Sequence, residues 1–247
     1  MMRVLPLGVG DAFSALYYSS CLAVEAEGVW LLVDCPHPIR KILREASEQA
    51  GLSLDVGSFC AVVVTHLHAD HSSGLEGFGY FAHFVLQNKV MLLAHPLVLE
   101  DLWPGHLHAG MKQLIATPEA EPTPMTLTDY FHLRPLDEGT PVEIGPFRIE
   151  CRRTIHHIPT TALRIRAGGR CLGYSADTAF DPSLLAWLDE ADLIIHETNL
   201  GVHTPYEKLA ALPEALRRKM RLIHYTDFFQ LDTSVIEPLC QGKLYDV

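Results

Sequence analysis

The sequence predicts an α/β protein of two β-then-α halves. The expected architecture is a four-layer αββα sandwich, with two sheets face to face and helices outside. Three observations predict it. Short apolar strands open the chain, and a second block of them follows residue 140. In each half the strand block gives way to alternating helical and apolar segments. The continuous runs "CAVVV" and "KVMLLA" read as strands buried on both faces, which need a layer on either side. With 247 residues, 48% hydrophobic and 20% charged, the chain can bury a substantial core, and we read 1–247 as a single domain.

The elements follow in order. "RVLPLGVG", "CLAVEA" and "VWLLVDC" are Val- and Leu-rich strands broken by Gly, Ser and Asp. "PHPIRKILREASEQAG" (36–51) carries a helical stripe of Ile39, Ile42, Leu43 and Ala46, with Pro near its start and Gly51 at its stop. "CAVVVTH" is a strand. "SSGLEGFGYFAHFVLQN" is helical but broken by glycine, "KVMLLA" is a strand, and "HPLVLEDLW" begins a helix. Residues 103–130 hold Pro104, Pro118, Pro122 and Pro124 and read as an insertion or lid. The second β block is "PVEIG", "FRIECRRT", "TALRIRA" and "RCLGYS", separated by turn dipeptides. "DPSLLAWLDEA" is a helix with Asp181 as N-cap and Pro182 in the first turn. "DLIIHE" is a strand, Thr204 and Glu207 of "TPYEKLAALPEALRRKM" suggest a capping box, and "RLIHYTD" is the last strand.

The formal charge is −11, so the overall field does not draw in long nucleic acid. The six cysteines are scattered without a C-x-x-C pair and read as reduced core thiols. No apolar run is long enough to span a bilayer, and "MMRVLPLGVGDAF" lacks the pattern of a signal peptide. The expected location is the cytoplasm.

"THLHADH" (65–71) follows the "CAVVV" strand and packs three histidines and an aspartate into six positions. In extended chain, residues two apart share a side, so His66 and His68 can grip one ion. Asp70 and His71 come as the chain turns into a helix and point toward a second. With 14 His in 247 residues, chance gives this pattern in roughly one of several hundred shuffled chains. Two ions need more donors, placed at strand ends on one edge. His156, Asp177 and His224 each follow a strand. This N/O donor set suits Zn(II), Mn(II) or Fe(II), with Zn(II) foremost. Asp34, ending another strand, is a candidate to orient a ligand histidine, with a turn role as its rival.

The order H-x-H-x-D-H, then His, Asp and His, resembles the metallo-β-lactamase-fold hydrolases over nearly the whole chain. That resemblance implies two divalent cations. His66, His68 and His156 would hold one, Asp70, His71 and His224 the other, and Asp177 would bridge them. His157 is the rival to His156, which better fits the family segment through its place before Pro159. "IHHIPTTALRI", "YSADT", "IIHET" and "VHTP" are similar to segments of the RNase Z group, which are phosphodiesterases. The resemblance implies a metal-bridging hydroxide as nucleophile, oriented by Asp70, and His196 of "HET" as proton donor. Only twenty residues separate His156 from Asp177, too few for the protruding arm of the tRNA-processing enzymes. The expected substrate is therefore a small or cyclic nucleotide, and tRNA 3′ processing is disfavoured. A thioester or lactone hydrolase is the alternative on the same centre, and a non-catalytic metal-binding protein a third reading. By the same analogy the assembly to test is a homodimer. Trp103, Tyr130 and Phe131 are candidates to stack on a base, with core packing as their rival reading.

Overall fold

The computed structural model describes residues 1–247. Two sheets carry the fold. The first has seven strands, in the spatial order Tyr245–Asp246, Met2–Gly8, Cys21–Ala26, Val29–Val33, Phe59–Val64, Val90–Ala94 and Phe131–Pro135. The second has six, in the order Met220–Ile223, Leu193–Glu197, Arg170–Tyr174, Thr161–Ala167, Phe147–Arg153 and Val142–Ile144. Both sheets follow one plan. Their early strands pair antiparallel through hairpins. Their later strands pair in parallel across helical crossovers. The two β-then-α halves expected from the sequence are thus the two sheets.

Strand alternation explains the layers. Val4, Val24, Leu31 and Val63 face inward and join Ile149, Leu163, Ile165 and Leu172 of the second sheet in one core. Their neighbours Leu5, Ala23, Leu32 and Val62 face outward and pack under helix Ile39–Gln49 and helix Leu75–Phe81. Ile39, Ile42, Leu43 and Ala46 are the buried stripe of that first helix. On the far side, helix Pro182–Leu188 buries Leu184, Leu185 and Leu188, and the Asp181 carboxylate accepts from the Ser183 N–H at its start.

The capping box at Thr204 does not form. Helix Tyr206–Ala210 has no side-chain cap, and the Thr204 hydroxyl donates instead to the Thr178 carbonyl at 2.9 Å. Thr204 is therefore spent on holding its loop against the second sheet. Residues 103–130 fold as helical turns and a two-stranded ribbon, Gln113–Leu114 with Thr123–Pro124. Leu107, Met111, Leu127 and Tyr130 bury themselves against the outer layer of the first sheet. Tyr130 and Phe131 are core residues, and Trp103 packs edge-on against His108, so the stretch offers no free stacking platform. No helix is long and apolar enough to cross a membrane.

Candidate metal centre

The clustered residues all sit just beyond strand ends at one edge of the sandwich. His66 follows Phe59–Val64, Asp177 follows Arg170–Tyr174, and His224 follows Met220–Ile223. His156 lies in the loop joining Phe147–Arg153 to Thr161–Ala167. Asp70 and His71 ride the short helix Ala69–Ser72. Backbone strain collects here too. Of five non-glycine residues with positive φ, Asp34, Ala176 and His224 belong to this edge, at 62°, 49° and 61°.

The structure brings all seven residues together in two groups. In the first, His66 Nε2 lies 3.2 Å and His156 Nε2 3.1 Å from His68 Nδ1, and each of those Nε2 atoms is 3.7 Å from Asp177 Oδ2. In the second, Asp70 Oδ2 lies 3.4 Å from His71 Nε2 and 3.2 Å from His224 Nε2. Asp177 belongs to both groups, with Oδ1 3.3 Å from His71 Nε2 and Oδ2 3.6 Å from His224 Nε2. Of the neighbouring histidines it is His156 that joins, while His157 stays exposed beside the cavity with its ring 6.1 Å from that of His68.

The electrostatics describe a pocket built for positive charge. Burial alone would raise Asp70 and Asp177, yet the histidines around them hold both well below the usual carboxylate range. Burial presses His71 down, but Asp177 and Asp34 outweigh it and hold His71 well above its ordinary value. His66 has less compensation and falls well below. His71 Nε2 and Asp177 Oδ1 are buried without a hydrogen-bond partner. Two imidazole nitrogens, His66 Nε2 and His156 Nε2, each approach His68 Nδ1 to about 3 Å, which neutral rings cannot both satisfy with one another alone. A cation accepts all of these lone pairs, so the donor chemistry fits a divalent metal in each group. Asp34 braces the arrangement. Its buried carboxylate accepts from the Thr65 N–H at 2.8 Å, the Thr65 hydroxyl at 2.9 Å and His71 Nδ1 at 2.9 Å. A carboxylate only accepts, so Nδ1 carries the proton and Nε2 is left free for the centre.

The expectation for His196 is corrected. Strand Leu193–Glu197 sends alternate side chains to opposite faces, and it is Glu197 that faces the centre. His196 is buried on the other side, with Nδ1 2.7 Å from the Glu197 carbonyl oxygen. Glu197 instead reaches His203 of the "VHTP" loop. Its Oε1 accepts from the Thr178 N–H at 2.8 Å and lies 2.9 Å from His203 Nδ1. Burial presses His203 down, but the Glu197 carboxylate outweighs it and raises it above its ordinary value. His203 lines the metal cavity of about 370 Å³, together with His68, Asp70, Asp177 and His224. The signal available in the sequence was the "VHTP" loop itself, whose His203 lies five residues beyond the last residue of "HET".

A profile of the Anti-Pycsar protein Apyc1 family matches residues 2–238. The chain belongs to that family. It is 30% identical over 261 residues to an Anti-Pycsar protein Apyc1 of Saccharibacillus brassicae, covering 100% of both chains. Another, from Paenibacillus harenae, is 31% identical over 234 residues, covering 92% of this chain and 90% of the relative. The chain has the metallo-β-lactamase fold. YhfI of Bacillus subtilis superposes with a TM-score of 0.77 at 18% identity, covering 100% of both chains. The short form of human tRNase Z superposes at 0.69 with 19% identity, covering 99% of this chain and 98% of that one. The RNase Z-like likeness read from the sequence therefore holds at the level of the fold.

Proposed function

We propose that this chain is a metal-dependent phosphodiesterase acting on a small or cyclic nucleotide. The observation that carries the reading is the pair of four-donor groups sharing Asp177, with a Glu197-braced His203 on the wall of the same cavity. The family name speaks of an antagonism and not of a bond, so the reaction is argued from the site. His66, His68, His156 and Asp177 would hold one cation, and Asp70, His71, His224 and Asp177 a second, with Zn(II) suited to this N/O set. When bound, the cations would supply a nucleophile by acidifying water and would neutralise phosphate charge.

The chain's own groups do the rest. Asp70, held ionised by its histidines, accepts a hydrogen bond and so orients the attacking water. His203, whose protonated form Glu197 favours, donates a proton to the departing alkoxide. An alkoxide needs that proton, and a thiolate does not, which favours a phosphodiester over a thioester. Only strands Thr161–Ala167 and Arg170–Tyr174 lie between His156 and Asp177, so there is no arm there to clamp a tRNA.

The test is turnover of a 3′,5′-cyclic nucleotide and of bis(p-nitrophenyl) phosphate by protein loaded with Zn(II) or Mn(II), beside a chelated control. His203→Ala is expected to lower cyclic-nucleotide turnover about 100-fold or more, and to cost much less on the nitrophenyl ester, whose leaving group needs little protonation. Inactivity on both substrates in protein holding two metals per chain would overturn the reading and direct the search to thioesters and lactones.

A further inference from the structure

The hydroxyl that does not cap helix Tyr206–Ala210 has another use. Thr204 follows His203 directly, and it is fully buried although Leu200 and Val202 in the same loop are 72% and 47% exposed. Three hydrogen bonds hold it. Its hydroxyl donates to the Thr178 carbonyl at 2.9 Å, and its own carbonyl accepts from the Thr198 hydroxyl at 3.0 Å and the Asn199 N–H at 3.2 Å. The last two close the loop on itself. Of the three, only the first reaches another element, the turn beyond strand Arg170–Tyr174 that carries Asp177.

That bond completes a ring. The N–H of the same Thr178 donates to Glu197 Oε1 at 2.8 Å, and Glu197 Oε1 lies 2.9 Å from His203 Nδ1. The circuit runs from Thr204 through Thr178 and Glu197 to His203, and back along one peptide bond. A carboxylate only accepts, so Nδ1 carries the proton and Nε2 is the nitrogen left for substrate. Held in this way, the His203 ring stacks on His224 with centroids 5.2 Å and planes 28° apart, and its Nδ1 is 3.9 Å from Asp177 Oδ2. The Asp177 turn is fixed from a further side, where the Asp177 carbonyl accepts from the Thr154 hydroxyl at 2.7 Å. Without the Thr204 hydroxyl the loop keeps its internal bonds and loses this tie to the turn that holds the shared donor. A misplacement of about 1 Å in a catalytic group can cost on the order of 100-fold in rate. We infer that Thr204 is a positioning residue of the phosphodiesterase proposed above, on which the inference rests: its hydroxyl fixes His203 relative to Asp177, and it acts on the reaction only through His203.

The experiment compares turnover of a 3′,5′-cyclic nucleotide with that of bis(p-nitrophenyl) phosphate on metal-loaded protein of measured metal content. Thr204→Val keeps nearly the same shape and removes the hydroxyl. It should lower kcat on the cyclic nucleotide about tenfold or more, with KM and metal content unchanged, and cost much less on the nitrophenyl ester. Thr204→Ser, which keeps the hydroxyl, should restore kcat. In a His203→Ala background, Thr204→Val should cost at most about twofold more, because the two residues act as one unit. Thr204→Ala is read in the same way and serves if the valine variant does not fold. Equal loss on the two substrates, or the full loss repeated in the His203→Ala background, overturns the inference and makes Thr204 a support of the fold or of the metals. An unchanged kcat overturns it too. In these cases the phosphodiesterase reading stands. Unmodified, metal-loaded protein that turns over neither substrate sinks that reading and the inference with it.

Discussion

Asp34 illustrates how much one buried side chain governs at the residue scale. Its carboxylate fixes both the strand end at Thr65 and the proton on His71, from a left-handed backbone position. Asp34→Ala should therefore weaken the second donor group selectively, by about 10–100-fold in metal affinity, measured by competition with a chromogenic chelator. Glu197→Gln tests the other brace. It removes the charge that raises His203, so the acid limb of the activity profile should persist while the alkaline limb moves to lower pH. An alkaline limb at the same pH would mean that Glu197 does not set the proton on His203. The metal donors were legible because their spacing is local and their types are unusual. The place of Glu197 beside His203 was not, because "HET" does not say which of His196 and Glu197 faces the centre. Strand parity decides that, and parity is set by the register of Leu193–Glu197 between its neighbours.

The same strand makes a prediction at the element scale. Burial pushes His196 from 6.5 down to about 4. The unfolded chain takes up that proton near 6.5 and the folded chain only near 4, so the stability involved is complete above 6.5 and is lost as pH falls through this window. The loss amounts to roughly 3 kcal/mol by pH 4. His196→Asn, which can still donate to the Glu197 carbonyl, should flatten the acid limb of urea-unfolding stability between pH 6.5 and 4, and an unaltered limb would rule out His196 as its source. Among elements, continuous apolar strands and the amphipathic helix Ile39–Gln49 were readable because burial leaves a period in the sequence. The terminal strand Tyr245–Asp246 was not, since two residues carry no period.

At the scale of the whole molecule, the centre should contribute to folding stability. A metal that binds only the folded chain adds about 2.7 kcal/mol at a concentration one hundred times its Kd. For a chain of this size that corresponds to a rise of roughly 5–10 °C in Tm. Thermal unfolding with and without a chelator measures it, and equal midpoints would exclude tight binding at either group. The gain should fade as pH drops, because His71 and His224, both held above their ordinary value in the metal-free protein, must each give up a proton to bind. The two-sheet architecture was legible because each half repeats the same order of strands and helices. Which donors stand in one group was legible only by resemblance, since it depends on how the two sheets dock.

That docking has a mechanical meaning. Each four-donor group takes two members from the first sheet's half and two from the second: His66 and His68 with His156 and Asp177, then Asp70 and His71 with Asp177 and His224. Neither half owns a complete site. The halves are joined through the turn Asp137–Thr140, where Gly139 adopts φ 79° with open space around it. A chain nicked in that turn would have the ions as rivets across the seam. Its two pieces would still share one apolar core and the pairing of Tyr245–Asp246 with Met2–Gly8, and bound ions would add a polar latch at the edge of the sandwich.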